Sequence, residues 1–361
     1  MTRTRPAAGS APHPATTTAP PPGSGAMPPL VPGARAPGPG AVITAGTGWA
    51  EAHAPFTDPF GTPFGLAWRR FRRDRAAMAS LAALALIVAF ALMAPLWASW
   101  TGHPYDATFP ETGLDASGQP VGPGAEFWLG ADRLGRDVLV RAAYGGRVSL
   151  LVGVCSAALA TVVGVAAGML AGFAGGTLDA LLARLMDLML ALPYVLVAIT
   201  LATTFPATSA AAGVAMTVVV IAFFSVAGLA RVIRGQVLSL KEKGFVEAAR
   251  ALGASDARIM FADVLPNLTG QITVLGSLLI PASIVFEATL SFLGVGVRAP
   301  APSWGAMLGE GGEAFQTAWW LLAVPGALLL LTTLSFNLLG DAIRDALGPG
   351  GARPARARRG R

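Results

Sequence analysis

Residues 244–253, GFVEAARALG, and residues 263–267, DVLPN, form the stretch that decides the fold. It is a charged, alanine-rich segment that lies between two long apolar runs. The helix formers of residues 246–252 predict a short helix, and Gly253 can adopt the positive φ that ends a helix or turns the chain sharply. A short helix followed by a tight turn is therefore expected here.

A second short helix is expected to begin at Asp256. It should end before Pro266, because the residue that precedes a proline is disfavoured in the α region. The two helices would form a helix–turn–helix on the membrane surface, with a face of small residues that another protein can approach closely: Ala248, Ala249 and Gly253. Taken alone, the segment is also compatible with an ordinary cytoplasmic loop.

The composition is that of a membrane protein. Of the 361 residues, 53% are hydrophobic and 13% are charged, whereas soluble domains carry about 25% charged residues. The net charge is +6, but the arginines cluster beside apolar runs, where basic residues set the orientation of membrane helices. We therefore expect the lipid bilayer to be a partner of the chain and nucleic acid not to be one.

Several kinds of site are missing from the sequence. The only lysines are Lys241 and Lys243, and neither precedes Ser or Thr, so the phosphate-binding loop of nucleotide hydrolases is absent. Cys155 is the only cysteine, which excludes an intrachain disulfide. The histidines lie outside the apolar runs, at His13, His53 and His103. We expect no cofactor, no metal site and no ATP hydrolysis by this chain itself.

Uncharged apolar runs predict six transmembrane helices, since about 20 apolar residues cross the hydrocarbon of a bilayer. Residues 138–150 are expected to form a helix that leads into the second span. Residues 205–209 break a run of 43 uncharged residues into the third and fourth spans. The predicted spans are residues 76–100, 148–171, 188–204, 210–230, 264–292 and 314–340.

The predicted organisation has four parts. Residues 1–63 form a disordered Pro/Ala/Gly-rich cytoplasmic tail. Residues 64–145 hold the first span and an extracytoplasmic loop, residues 146–345 form the core membrane domain, and residues 346–361 form a basic cytoplasmic tail. With both termini inside, 21 Lys and Arg residues lie on the inner side and five on the outer side, as the positive-inside rule requires.

The central stretch resembles the EAA loop of ABC-importer permeases. The match consists of Glu247-Ala248-Ala249, Gly253 and the pair Leu265-Pro266. Further segments are similar to the C-type subunit of the dipeptide/oligopeptide/nickel permease family, in the same order along the chain: residues 128–132, 134–139, 144–150, 287–294, 302–305, 337–341 and 344–345. The resemblance covers residues 64–349.

This resemblance implies the type I ABC-importer (MetI-like) permease fold, with six transmembrane helices and a cytoplasmic coupling helix between spans four and five. It also implies four kinds of partner: a homologous second permease, two cytoplasmic ABC ATPase subunits, an extracytoplasmic solute-binding protein and the bilayer. The expected location is the bacterial cytoplasmic membrane, with both termini in the cytoplasm. The energy for transport would then come from the docked ATPases.

The family's coupling helix fits a groove on the ATPase. The resemblance assigns this contact to matching residues of the central stretch: Glu247, Ala248, Ala249, Arg250, Gly253, Leu265 and Pro266. In one respect the chain departs from the family, which usually has a basic residue two positions before the Leu-Pro pair, where this chain has Asp263. This difference leaves the charge pattern of the docking surface open.

Three residues near the outer ends of the spans are candidates for the translocation path or its gate. Glu287 is a carboxylate within an apolar span, which by default marks a function or a buried partner. It either lines the path, where it could contact an ammonium group of the substrate, or bonds Ser291 or the second permease. Trp304 belongs either to a gate helix at the interface or to an aromatic anchor at the bilayer surface.

A glycine-jointed loop before the second span is a candidate for contact with the solute-binding protein or for a cap over the pore mouth. Its residues are Asp132, Gly135, Arg136 and Asp137. A structural pair of turns would explain the same motif.

Peptides are the expected substrates, and nickel or another chelated metal is the alternative. An ion-coupled secondary transporter would need ion sites near the bilayer midplane and repeated halves. Glu287 is the only clear charge within a span, and the two halves do not resemble each other. A hydrolase would need a nucleophile beside a base, and no span contains a histidine.

Overall fold

The computed structural model describes residues 68, 71–297 and 299–347. Within this part of the chain the regular structure is helical, and the only β-type pairing is two isolated bridges, which join Leu114 to Pro120 and Ala131 to Asp137. The predicted all-α class is confirmed. The predicted tail of residues 1–63 lies outside the described residues, as do residues 348–361.

The helices follow one another along the chain, and the longest connection is the loop between α3 and α4. The first half contains α1 (Arg75–Leu92), α2 (Ala94–Thr101), α3 (Pro110–Gly113), α4 (Val138–Ala174), α5 (Gly176–Ala191), α6 (Tyr194–Thr204) and α7 (Ala210–Lys241). The second half contains α8 (Gly244–Ala251), α9 (Asp256–Arg258), a π-helix (Ile259–Val264), α10 (Leu265–Phe292), α11 (Trp304–Gly311) and α12 (Trp320–Leu347). By length and composition, five described segments could cross a membrane, or six if α5 and α6 form one broken span.

The first predicted span is not one straight helix. The chain breaks at Met93 between α1 and α2, and Pro95 occupies the first turn of α2. A proline has no N–H to donate and its ring clashes with the carbonyl four residues earlier, so the first turn of a helix is the position where it costs least.

The third span is also bent. Helices α5 and α6 meet at 84° around Leu192 and Pro193, so the predicted segment 188–204 is not one straight helix and its first four residues belong to α5. The predicted break at residues 205–209 is confirmed, because α6 ends at Thr204 and the Ser209 side chain caps the first turn of α7.

Two other helices are longer than predicted. The helix expected at 138–150 and the second span merge into α4, which has 37 residues. Helix α7 continues past Ala230, where its apolar run ends. It can do so because Arg231 and Arg234 bond Asp187 and Asp179 of α5, which satisfies charged groups in the last turns.

The prediction that the second short helix ends before Pro266 is wrong. The chain remains helical from Asp256 to Phe292, and the turn before the proline widens into the π-helix. There the Leu265 N–H donates to the Met260 carbonyl, five residues earlier. The missing N–H of Pro266 falls in the first turn of α10, and the Asn267 amide donates to the Asp263 carbonyl at 2.6 Å.

The last span begins at Trp320 and not at residue 314. Residues 312–318 form turns. The Trp320 indole N–H donates to the Ala131 carbonyl at 3.0 Å, and this contact with the loop before α4 fixes where the helix starts.

Helices α4 and α7 pack together more extensively than any other pair. Glycines on α4, four residues apart, face α7. A Cβ on Gly168 would lie 2.6 Å from the Ala230 carbonyl oxygen, and one on Gly172 would lie 2.8 Å from the Val237 Cβ. The two backbones therefore approach as closely as small residues allow, which is the usual basis of helix packing in membranes.

This packing predicts a contrast between two Gly→Ala substitutions. Gly168→Ala should lower stability by about 1–3 kcal/mol, because the Ala230 carbonyl must move. Gly228→Ala is the control, since no atom lies within 4 Å of its added Cβ; it should be neutral or stabilising by up to about 1 kcal/mol. Thermal unfolding of the detergent-purified variants measures the difference, and equal midpoints would contradict the packing argument.

Candidate functional site

Helix α8 carries the EAA residues and ends in a glycine turn. Gly253 has φ +81°, its N–H donates to the Arg250 carbonyl, and the next N–H, of Ala254, donates to the Ala249 carbonyl. This pair of bonds is the Schellman motif, which satisfies the last carbonyls of a helix. The predicted helix and the positive φ at Gly253 are both observed.

One side of α8 is anchored in the helix bundle. Val246 is fully buried, and Ala249 packs against the same cluster. The cluster contains residues from four helices and the π-helix: Met169, Phe173, Leu229, Ile233, Val237, Val246, Ile259, Val264 and Leu268. The guanidinium of Arg250 lies over the Phe173 ring, 5.8 Å from its centroid. Any displacement of α8 is therefore passed directly to these helices.

The other side of α8 is exposed. Glu247 and Ala248 face outward, and no atom lies within 4 Å of a Cβ added to Gly253. Large apolar side chains beside them are uncovered: Phe245 is 42% exposed, Leu252 87% and Phe261 61%. Arg250 is also exposed. The surface thus combines small residues, apolar side chains and charges, as a protein contact surface does.

The Leu-Pro pair follows the π-helix. Leu265 packs against the buried cluster below α8, and Pro266 is exposed. Asp263 lies two residues before Leu265, and its carboxylate forms no ion pair within the described residues, so it adds a negative charge to this surface. The structure therefore brings the whole predicted coupling set to one end of the bundle.

The three predicted gate residues lie together at the other end of α10. Glu287 is fully buried. Its two carboxylate oxygens accept hydrogen bonds from the hydroxyls of Ser291 at 2.6 Å and of Ser149 at 2.7 Å, and the Ser303 hydroxyl also bonds the carboxylate. One side chain therefore links α4, α10 and the N-terminus of α11.

Trp304 is not an anchor at a bilayer surface. Its side chain is fully buried, and its indole N–H donates to the Ala142 carbonyl at 2.9 Å. Its backbone N–H donates to the Ser149 hydroxyl, which in turn donates to Glu287. Trp304 thus fixes the first turn of α11 against α4.

The loop before α4 forms a compact turn. Asp132 accepts from the backbone N–H groups of Leu134 and Arg136, and Gly135 has φ +74°. Asp137 caps α4 by accepting from two N–H groups, and its other oxygen lies 2.9 Å from His103 Nδ1.

The four residues predicted for contact at this loop are all buried: Asp132, Gly135, Arg136 and Asp137. Their polar side chains are bonded within the chain. Only Arg133 and Leu134 of this turn are exposed, so a contact with another protein, which stays a prediction, would involve these two.

The comparisons with known proteins fit this geometry. A family model described as "binding-protein-dependent transport system inner membrane component" matches residues 164–351, and one described as "N-terminal TM domain of oligopeptide transport permease C" matches residues 62–117. The chain belongs to this family of ABC-importer permeases. It is a multi-pass inner-membrane transport subunit of the oligopeptide/dipeptide branch, with the type I importer fold.

Several named relatives are similar over almost their whole length. The permease is 38% identical over 292 residues to the glutathione transport system permease protein GsiD of Escherichia coli O1:K1, which covers 81% of this chain and 92% of that protein. The proteins of the same name from Shigella boydii serotype 4 and Shigella sonnei match with the same identity and coverage.

A chain from a solved structure described as "Inward facing conformations of the MetNI methionine ABC transporter" is also similar. It has 18% identity and a TM-score of 0.47, over 56% of the permease and 94% of that chain. Family membership rests on the sequence matches and not on this weak likeness.

Sequence reasoning missed three residues of these sites. Val246 anchors α8, and its helical spacing to Ala249 is the signal that could have revealed it. Ser149 lies 138 residues from Glu287, a separation for which no sequence pattern exists. Glu310 bonds Arg136 of the loop before α4 and Arg141 of α4, and it stands in a glycine-rich segment that gives no sign of a contact.

The serine contacts predict how substitutions of Glu287 behave. Glu287→Ala removes the acceptor for three hydroxyls and should destabilise the permease by about 1–3 kcal/mol or more. Glu287→Gln keeps an acceptor oxygen of similar size, so it should preserve assembly and the apparent affinity of uptake. Thermal unfolding and uptake kinetics measure the two effects. A changed affinity with intact assembly in Glu287→Gln would instead place Glu287 on the translocation path.

Proposed function

We propose that the permease forms half of the transmembrane channel of an importer of di- and oligopeptides. It pairs with a homologous second permease, docks on two cytoplasmic ABC ATPases and receives substrate from an extracytoplasmic binding protein. The assignment to peptides is supported by the oligopeptide-permease match and by relatives named for the transport of glutathione, which is a tripeptide.

The coupling role is supported by one observation: one side of α8 is buried in the helix bundle and the other side is exposed. Val246 is fully buried among residues of α4, α7 and α10, while Leu252 and Phe261 are exposed beside it. An ATPase that grips the exposed side would move the helices that hold the buried side. ATP binding would then shift the equilibrium between inward-facing and outward-facing states by rigid-body motion.

The orientation follows from the basic residues. When α8 is placed in the cytoplasm, both termini are cytoplasmic and 21 of the 26 Lys and Arg residues lie inside. The Glu287 cluster and α11 then lie toward the outer side. The chain has no phosphate-binding loop, since neither of its lysines precedes Ser or Thr, so the ATPases supply the energy.

Purification of the tagged permease from its own membranes in mild detergent tests this assembly. Mass spectrometry should recover a second six-span permease and ATPases with phosphate-binding loops. Recovery of the chain alone, still carrying solute into vesicles without ATP, would contradict the proposal and favour an ion-coupled carrier.

Gly253→Trp should abolish ATP-driven uptake while the permease still inserts and assembles with its partner permease. The space around Gly253 is empty within the chain, so a large side chain there would collide with the docked ATPase. Gly253→Asn is the control, because asparagine tolerates a positive φ better than other residues with a Cβ. Equal uptake in the two variants would rule out docking at this turn.

Glu247→Arg should also abolish uptake, because it reverses the charge at the centre of the exposed face. Glu247→Gln removes the charge but not the shape, and we expect it to reduce uptake by less. The co-purified amount of ATPase measures docking directly. Normal uptake by Glu247→Arg would exclude Glu247 from the contact.

The substrate is tested with the binding protein that co-purifies with the complex. Di- and tripeptides should compete with uptake, and nickel salts or nickel chelates should not. Competition by nickel and not by peptides would contradict the peptide assignment without affecting the importer assignment.

A further inference from the structure

Two arginines, Arg136 of the loop before α4 and Arg141 of the first turn of α4, converge on one carboxylate of α11. Their guanidinium groups each donate to Glu310 Oε2, at 2.7 and 3.0 Å. The same two arginines also contact Asp132 Oδ2, at 2.6 and 3.3 Å. Two positive and two negative charges thus form a closed network that joins the loop and the start of α4 to α11.

The arginines of this network are more deeply buried than Glu310. The side chains of Arg136 and Arg141 are 10% and 2% exposed, whereas that of Glu310 is 43% exposed. Removing Glu310 from its place would leave two buried arginines with Asp132 as their only described carboxylate partner. An ion pair of this kind is costly to break from one side.

A second ion pair nearby joins the same loop to the turn that follows α11, and it is more exposed. Arg133 contacts Glu313, three residues after Glu310, with side chains 51% and 73% exposed. Exposed pairs of this kind contribute little, because water and salt screen them. The exposed Arg133–Glu313 pair therefore serves as an internal control for the more buried contacts of Glu310.

Helix α11 is held differently at its two ends. Its first turn is fixed by the buried Trp304 and by the Ser149 hydroxyl. Its last turn carries Glu310, and Gly309 and Gly311 beside it pack against Phe292 of α10 and Leu321 of α12. Loss of the ionic contact would leave this packing as the restraint on the last turn.

Glu310 also lies between two cavities. One, of about 670 Å³, is lined by residues of α7 and α10 and includes Thr217 and Ser291. The other, of about 440 Å³, contains Arg136 and Arg141. Glu310 lines both, so α11 forms the wall between the arginine cluster and the space beside the Glu287 site.

We propose that Glu310 is a positioning residue of the outer gate: its ion pair with Arg136 and Arg141 latches α11 closed, and the latch releases when the permease opens outward. This inference rests on the proposed orientation, in which α11 faces the outside.

The test uses the full complex in membrane vesicles of both orientations. Cys155→Ser removes the only cysteine of the chain, and Thr217→Cys places a thiol in the larger cavity, where Thr217 is 4% exposed. Labelling of the permease by a membrane-impermeant maleimide is then measured without nucleotide. Glu310→Gln in this background should raise the rate of labelling from the outer side by about tenfold or more, because it leaves two buried arginines without one of their carboxylate partners. Glu313→Gln should leave the rate unchanged.

Equal labelling of Glu310→Gln and its parent, or an equal rise in both Gln variants, would overturn the latch. Co-purification of the partner subunits is measured in parallel; a rise that occurs only with loss of assembly would also overturn it. Labelling does not require transport, so the latch is tested even if the proposed function fails. A rise for Glu310→Gln that is seen only from the inner side would refute the proposed orientation instead.

A reversible cross-link that prevents the latch from opening provides a second test. Arg133→Cys with Glu313→Cys, in the Cys155→Ser background, places two thiols at the exposed pair. A reducible bifunctional thiosulfonate should stop ATP-driven uptake by joining α11 to the loop, and reduction should restore it. Either single-cysteine variant controls for the modification itself. Undiminished uptake by the tethered permease would overturn the inference.

Discussion

The rest of the structure depends on the close approach of α4 and α7. Within a bilayer, lipid tails are as apolar as leucine, so helices associate through close packing and not through the hydrophobic effect. Glycines on α4 allow the backbones to touch, with Gly168 against the Ala230 carbonyl. This contact positions the last turns of α7, and with them the start of α8, in relation to the other spans.

The packing of α4 and α7 also connects the two sites of the proposed mechanism, which are the surface around α8 and the Glu287 cluster. Val246 inserts among side chains of α4, α7 and α10, so α8 is part of the bundle and not a mobile loop. At the far end of α10, Glu287 bonds serines of α4 and of the turn before α11. A force on the docking surface therefore reaches the outer cluster through packed helices and hydrogen bonds.

The features of the fold that depend on local residue preferences could be predicted from the sequence. The contacts between residues far apart in the sequence could not. Gly253 and the break at residues 205–209 follow from the conformational preferences of the residues themselves. Pro266 misled the prediction because a π-turn before it absorbs the missing hydrogen bond. The partners of Glu287 were partly foreseen through Ser291, one turn away, whereas Ser149 and the arginine partners of Glu310 lie far apart in sequence. Such pairs leave no periodic signal, since only the folded chain brings them together.

The unbroken helix through Pro266 has a mechanical consequence. Had the chain broken at the proline, motion of the cytoplasmic segment would have been lost at a joint. Instead, residues Asp256–Phe292 form a lever of 37 residues that stays helical through both Pro266 and Pro281, roughly 55 Å long at 1.5 Å per residue. A tilt of about 5° at one end of such a lever moves the other end by about 5 Å, close to one helical turn. The widened turn that accommodates one proline thus lets a small rotation on one side of the membrane become a displacement of atomic size on the other.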